Sequence, residues 1–377
     1  MKAPDHPVPS GDRAVARLLL AALACAGHEV DSISRFRTWQ ARPDPQRQAR
    51  LAELGAKLAA RLTARVRRQP PDRRPRIWLT YHLYYKAPDF IGPAVAEALG
   101  VPYVLVEASL AYKRASGPWD IGHRAVVWAV EQAAEVVQIN PEDAECLPAD
   151  SRQCFLPPFV DGRPYRAAQV QRAVLRAAWA RRLKLDAEVP WIVTVAMMRA
   201  GDKLASYRLL AEALAKTGDL PWQLLLIGDG KARPAVEAAL GDALGAGYDR
   251  VRFLGLLPEG GVAEPLAACD LFAWPAVNEA YGMALLEAQA AGLPAVAGRR
   301  IGVAAVVVDG ETGLLADITK PGTFAAALRR ALQDADLRRA MGARASEKSR
   351  EHHDLAGAAA RLAAVLEAAV EAGSCAS

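Results

Sequence analysis

DLFAWPAVNEAYGMALLEAQAAGLPAVAG, residues 270–298, decides how the rest of the chain is read. DLFAWP (270–275) is a short apolar run of strand length, and LPAVAG (293–298) is a second one. Between them lies a helical stretch at 282–291, opened by Gly282 and closed by Gly292. Strand, helix and strand in so few residues make a parallel pair with a covering helix. The same alternation runs back along the chain. It continues through PWIVTVAMM (190–198), a helix at 203–216, WQLLLIG (222–228), a helix at 231–244 and VRFLG (251–255). Three helices follow, at 321–332, 335–349 and 354–372.

LPPFVDGRPY, near 156–165, breaks the pattern with three prolines and a glycine, the mark of a linker. An earlier alternating series precedes it. Its parts are a helix at 12–27, a strand EVDSIS (29–34), a long helix at 45–68, RIWLTYH (76–82), a helix at 90–99, PYVLVE (102–107), a helix near 118–134 and EVVQIN (135–140). The reading is an α/β protein of two doubly wound domains. The boundaries expected are 1–160 for the first domain, 161–350 for the second, and 351–377 for a closing helical tail. One element is missing from the pattern. Pro4, Pro7 and Pro9 occupy the place of the strand that should feed Ser10-Gly11-Asp12, so the chain is expected to begin one strand late.

Hydrophobic residues make up 52% and charged residues 24%, which excludes a disordered or collagen-like chain. Apolar runs reach about ten residues, short of the ~20 that span a bilayer. LLLAALAC (18–25) imitates a signal core, but its long leader carries Asp5 and Asp12, and a helix before a strand is the better reading. Five cysteines form no Cys-x-x-Cys pair, which points to a reducing, cytoplasmic setting. The net charge of +5 is concentrated: residues 35–76 hold thirteen basic and three acidic side chains.

Chemistry concentrates at 274–298. Glu279 falls in the loop after a strand, and Glu287 stands eight residues later within the helix. A helix that opens at Tyr281-Gly282-Met283 offers unpaired N–H groups and a positive dipole end to a phosphate. A loop carboxylate beside it can accept hydrogen bonds from sugar hydroxyls, and one further down the helix can hold a ribose diol. Surface helices also carry such glutamate pairs with no ligand to bind.

The segment resembles the Glu-x7-Glu signature of family 4 retaining glycosyltransferases, which adopt the GT-B fold: two Rossmann-like domains facing a cleft, with a C-terminal helix crossing back to the first. Gly292-Leu293-Pro294, Asp309-Gly310, Gly313-Leu314-Leu315, Leu226 to Gly230 and Phe253-Leu254-Gly255 extend the likeness over about 185–345. Over 1–160 it is carried by Ser10-Gly11-Asp12, Gly27 to Val30 and, at the linker, Pro158 to Asp161. The resemblance implies transfer of a sugar from a nucleoside diphosphate sugar to an acceptor hydroxyl, without a metal or other cofactor. It implies that Glu279 contacts the donor sugar and Glu287 the ribose. Tyr281, Gly282, Met283 and Gly230 would also serve the donor, while Arg199 and Lys203 neutralise the leaving diphosphate. The Arg199–Lys203 spacing is shorter than the family's, and Leu204 stands where a glycine is common.

On the acceptor side the resemblance points to Gly11 and Glu107, and His82 joins them as a residue that ends a strand and could face the cleft. Family members place a histidine after the Gly-x-Pro strand opening; here Gly100-Val101-Pro102 leads to Glu107. Glu107 either binds or activates the acceptor or is a structural carboxylate, and His82 either faces the ligand or ends its strand satisfied. Within the same fold a nucleotide-sugar epimerase is one alternative; a different class altogether is a catalytically silent GT-B scaffold or membrane-surface binding protein. Residues 45–68 interleave Arg47, Arg50, Lys57, Arg61, Arg65, Arg67 and Arg68 with Leu51, Leu54, Leu58 and Leu62. Such a helix can lie on an anionic membrane, or pack its leucines on the sheet. Aromatics for base stacking are absent there, which argues against nucleic acid. Asp334-Ala335-Asp336 and His352-His353 read as helix-end features rather than metal ligands, and Arg233 spoils a dinucleotide fingerprint at Gly228.

Overall fold

A computed structural model describes residues 4–6, 10–258 and 260–374. The chain divides into two units, Met1–Pro157 with Leu355–Ser377, and Pro158–Asp354. In the first, the Ser10 hydroxyl accepts from Arg13 N at 3.3 Å and starts α1 (Gly11–Cys25), which buries Val15, Leu19, Ala22 and Leu23. The strand expected at 29–34 does not form. Only Ile33 is partly covered there and Val30 is 43% exposed, so the segment lacks the apolar row that a paired strand buries. It leads into a loop held by Thr38 Oγ1 on Pro88 O at 2.7 Å and Gln40 N on Lys86 O at 2.9 Å.

Asp44 caps α2 (Pro45–Arg67), with proline in its first turn. The face that α2 buries is Gln48, Gly55, Ala59, Thr63 and Val66. At Gly55 a Cβ would lie 2.4 Å from that of Phe90. Leu58 and Leu62 pack at the rim of the core, Leu54 is 45% exposed, and the basic side chains are exposed. The sheet follows, with β1 (Trp78–Leu83), α3 (Gly92–Leu99), β2 (Tyr103–Ala108), α4 (Asp120–Glu131), β3 (Glu135–Gln138), α5 (Pro141–Ala144) and β4 (Gln153–Phe155). All pairings are parallel and the order is β1-β2-β3-β4, so the described strands step in one direction. Asp89 fixes the start of α3 against the sheet. One carboxylate oxygen accepts from Ile91 N and Gly92 N, both at 2.8 Å, and the other from Thr80 Oγ1 and the Tyr103 hydroxyl.

The second unit opens with α6 (Arg163–Val170) and α7 (Arg172–Leu183). It continues through β5 (Trp191–Val195), α8 (Asp202–Ala215), β6 (Gln223–Ile227), α9 (Arg233–Leu244), β7 (Val251–Gly255), α10 (Ala263–Ala268) and β8 (Leu271–Trp274). It ends in α11 (Met283–Ala290), β9 (Ala295–Gly298), α12 (Ile301–Ala304), β10 (Gly313–Ala316), α13 (Thr323–Gln333) and α14 (Ala335–His352). Its parallel sheet runs β10-β9-β8-β5-β6-β7. The order reverses between β5 and β8, the switch point of a doubly wound sheet, where the loops at the strand carboxyl ends part and leave room for a ligand. Trp191, Ile192, Leu224, Leu225, Phe272 and Val296 are wholly buried in the core of this unit. Asp270 pins β5 to β8, accepting from Trp191 N at 2.8 Å and from Arg172 and Arg176.

The unit's two ends are clasped. Val160 N donates to His353 O at 2.9 Å, Val160 bridges Asp354, and the Asp354 carboxylate accepts from Gly162 N at 3.3 Å. His353 is 3% exposed, and its Nδ1 lies 2.7 Å from Pro158 O. Burial lowers its pKa, so it is neutral, with the Nδ1 proton donated to that carbonyl. Asp334 caps α14, accepting from Leu337 N at 2.8 Å. The chain then closes with α15 (Leu355–Ser374), which belongs to the first unit and packs on α1, burying Ala358, Ala359, Leu362, Leu366 and Ala369. Among the described residues, no helix is long and apolar enough to cross a membrane.

Candidate active site

Two loops leave the carboxyl ends of β5 and β8 at the switch point, and each delivers one charged side chain. From the β5 side Gly201, at φ 80°, turns the chain into α8, whose second residue is Lys203. From the β8 side Ala276 and Asn278 take left-handed conformations at φ 56° and 52° before Glu279. The wholly buried Ala276 holds this strained backbone, a pattern that persists only when its surroundings enforce it. Those surroundings are visible. Val277 N donates to Ser206 Oγ at 3.0 Å, and Asn278 Nδ2 to Asp202 Oδ2 at 3.1 Å. On the other flank α12 presses on the loop, where a Cβ on Gly302 would lie 1.5 Å from Ala280 O.

The loop thus brings Glu279 onto Lys203 in an ion pair, with both side chains half-buried. Trp274 Nε1 donates to the same Glu279 oxygen at 3.2 Å, and the Lys203 ammonium lies 5.4 Å from the Trp274 ring centroid. Tyr207 backs the indole edge-on at 5.0 Å and donates its hydroxyl to Ala196 O at 2.8 Å. Gly282, at φ 73°, follows as the N-cap of α11 and makes no side-chain capping bond. Tyr281, Gly282 and Met283 therefore stand beside the ion pair at a helix start suited to an anion.

Arg199 is exposed on the β5 loop, and it is Lys203 rather than Arg199 that pairs with Glu279. Gly230 supports that loop. A Cβ there would lie 2.2 Å from Met198 O, and Met198 N donates to Asp229 O at 3.0 Å, so the glycine lets two backbones meet. Glu287 lies half-buried in the middle of α11, which packs against α6, the helix of Tyr165. Loss of hydration pushes this carboxyl up to about 7, with Tyr165 opposing the rise. Trp274, Asn278, Gly302 and Tyr165 are absent from the sequence-based site. Each acts through contacts that folding creates, which no local pattern announces.

In the first unit, His82 lies near the end of β1 and Glu107 near the end of β2, on paired strands. Both are left-handed, at φ 59° and 58°. His82 Nδ1 lies 3.6 Å from Glu107 Oε2 and 3.6 Å from Oδ1 of Asp12, which follows Gly11 in the first turn of α1. Burial lowers the His82 pKa, and the Asp12 carboxylate partly offsets this. Gly11 itself is exposed, and a Cβ added there would meet nothing within 4 Å, so space does not demand a glycine. Among the described residues, no group of three or more His, Cys, Asp or Glu is placed to hold a metal ion.

Residues 189–334 match the family model described as "Glycosyl transferases group 1". The D-inositol 3-phosphate glycosyltransferase of Corynebacterium diphtheriae is 37% identical over 143 residues, 37% of this chain and 33% of that protein. The protein of the same name from Nocardia farcinica is 29% identical over 308 residues, 75% of this chain and 65% of that one. The chain thus spans about a third of the length of the first of these relatives. Among solved structures, sucrose-phosphate synthase from Thermosynechococcus elongatus superposes with a TM-score of 0.68 at 20% identity, covering 96% and 94% of the two chains. Anabaena HepE, solved in complex with UDP, gives 0.65 at 17% identity, with 83% and 82% coverage. These neighbours share the GT-B fold with this chain. Residues 189–334 thus resemble a glycosyl transferases group 1 domain, within a chain of GT-B fold.

Proposed function

We propose that the protein is a retaining, family 4 glycosyltransferase that moves a sugar from a nucleoside diphosphate sugar to an acceptor hydroxyl. The observation that carries this reading is the Lys203–Glu279 pair at the switch point, next to the opening of α11. The diphosphate rests on the backbone at Tyr281, Gly282 and Met283, and Lys203 turns to it, with Arg199 as a second cation. Glu279, released from Lys203, accepts hydrogen bonds from the donor sugar, while Glu287 holds the ribose. The bond from the anomeric carbon to the diphosphate breaks as the acceptor oxygen bonds to that carbon, and the acceptor's proton leaves with the diphosphate. Charge accumulating on the leaving group meets fixed cations and N–H dipoles, which stabilise it without reorganisation. Names of curated relatives and a UDP complex of a structural neighbour support a nucleotide sugar as donor.

The first unit supplies the acceptor groups, His82 and Glu107. Two carboxylates, of Asp12 and Glu107, flank a histidine whose pKa is lowered, an environment that favours a neutral or amine-bearing polyol over a phosphate ester at this point. That separates the chain from relatives named for inositol 3-phosphate. The exposed basic side of α2 is proposed to meet an anionic membrane surface, which would bring a lipid-linked acceptor within reach.

Incubation with a panel of nucleotide sugars, with and without neutral, amino and phosphorylated polyols, tests the reading. Release of nucleoside diphosphate that depends on an added acceptor, with a retained anomeric configuration in the product, is the expected outcome. Conversion of the nucleotide sugar without any acceptor would make the protein an epimerase. No conversion in any combination would leave a binding scaffold.

A further inference from the structure

The loop that leaves β9 carries two adjacent arginines, and they turn in opposite directions. Arg299 folds back onto its own sheet. Its backbone N–H donates to Ala316 O at 2.7 Å, and its guanidinium engages Asp309 and donates to Leu315 O at 3.2 Å. Arg300 turns instead toward the loop after β8. Its Nη2 reaches Asn278 Oδ1 at 3.5 Å, a long contact to a neutral amide, in the residue before Glu279. The two loops are locked together just beyond, where a Cβ on Gly302 would lie 1.5 Å from Ala280 O. The start of α12, with Arg300 as its N-cap, is thereby fixed beside Glu279.

Arg300 is exposed, and among the described residues no carboxylate lies within ion-pair distance of it. Asp309 is taken by Arg299, and Asp202 is bonded to the other end of the Asn278 amide, at 3.1 Å from Nδ2. Strand order gives this unneutralised charge a place of its own. In the sheet β8 lies between β9 and β5, so the Glu279 loop separates Arg300 from Lys203 and Arg199 on the β5 side. The cations proposed for the diphosphate thus stand on one flank of Glu279, and Arg300 stands on the other.

We propose that Arg300 selects the donor sugar: its guanidinium pairs with a carboxylate on the hexose, so that the preferred donor is a nucleoside diphosphate hexuronate. The proposal rests on the reading of Glu279 as the sugar contact. A guanidinium presents two parallel N–H groups that match the two oxygens of a carboxylate, and the long Asn278 contact is readily exchanged for them. The hydroxymethyl group of a neutral hexose offers no such match.

The test is calorimetric titration with UDP-glucuronate against UDP-glucose, UDP-galacturonate against UDP-galactose, and GDP-mannuronate against GDP-mannose, with free UDP and GDP alongside. The members of each pair differ only in the carboxylate. For its preferred pair the wild type should bind the uronate roughly tenfold more tightly, the effect of hydrogen bonds to a charged group. Arg300→Gln should bring that ratio close to one, and Arg300→Glu should invert it. Arg300→Lys should keep only part of it, because an ammonium lacks the fork. Arg199→Gln should weaken both members of the pair and leave their ratio standing. Because Arg300 is exposed, its variants should melt with the wild type. A wild type that binds hexose and uronate alike, or a uronate preference that survives Arg300→Gln, would overturn the proposal and leave the donor site in place. Equal loss of the ratio in Arg199→Gln would also overturn it, since the preference would then reflect overall charge. Binding of no nucleotide, with or without its sugar, would overturn the donor site itself.

Discussion

Lys203 and Glu279 stand 76 residues apart in sequence and meet as an ion pair beside the indole of Trp274. Each neutralises the other, so the two groups proposed to meet the donor are already engaged with one another. Glu279→Ala and Lys203→Ala should each lower turnover by about 10²–10³ while the protein stays folded, as loss of one preorganised polar contact commonly does. Their effects on nucleoside diphosphate affinity should differ. Glu279→Ala frees the ammonium for the phosphates and binds the nucleotide at least as tightly as wild type; Lys203→Ala binds it more weakly. Titration calorimetry alongside initial rates checks both, and wild-type rates in the two variants would remove the pair from the reaction.

Glu287 carries a stability cost that can be read against pH. Its carboxyl lies at about 7 in the folded protein against an ordinary value of 4.5, so the folded state binds the extra proton between those values. Stability therefore falls as pH rises from 4.5 to 7 and stays reduced above. Glu287→Gln removes the titration, and at pH 8 it should raise the melting temperature, with a gain on the order of 1–3 kcal/mol. At pH 4.5 the two proteins should melt together. The same substitution should weaken nucleotide binding, which separates the site's function from its stability.

His82 holds a left-handed backbone that suits asparagine better than histidine. His82→Asn should leave thermal stability unchanged or raise it by up to about 1 kcal/mol through relief of strain. Acceptor-dependent transfer should fall, with nucleotide binding intact. Unchanged transfer kinetics would leave His82 as a strand-end residue and nothing more.

The basic residues of α2 are exposed, yet its leucines do not form a free apolar stripe, because Leu58 and Leu62 pack at the core. Any membrane contact is then mainly electrostatic, at ~1 kcal/mol per basic residue near the surface. The protein should sediment with anionic vesicles and not with neutral ones, and should be released at high salt. Arg61→Glu together with Arg65→Glu should abolish sedimentation without changing turnover on a soluble acceptor. Sedimentation with neither vesicle would end the idea.

Residues whose neighbours in sequence are also their neighbours in space are legible without coordinates. The run 270–298 declares strand, loop, helix and strand because its apolar pattern and flanking glycines act over a few residues. EVDSIS misleads for the same reason: it alternates like a strand but carries too few apolar side chains to be buried. Gln153–Phe155 and Gly313–Ala316 are too short to stand out, and they are strands only because β3 and β9 recruit them. Glu279 and Glu287 can be named from their motif. What tunes them, the engagement of Lys203 and the placing of Trp274 and Tyr165, depends on sheet order and on elements distant in the chain.

The clasp of Val160 with His353 and Asp354 makes the boundary of residues 158–354 a single point rather than two. A segment whose entry and exit coincide can be cut from one gene and spliced into another, because the host has only one junction to accommodate. With the donor on this segment, as proposed, its preference could be exchanged between related proteins as a cassette, the remaining portion keeping its own reading frame on either side. Engineered chimeras joined at Pro158 and Asp354 follow directly, with the His353–Pro158 bond as the seam that both parents must share.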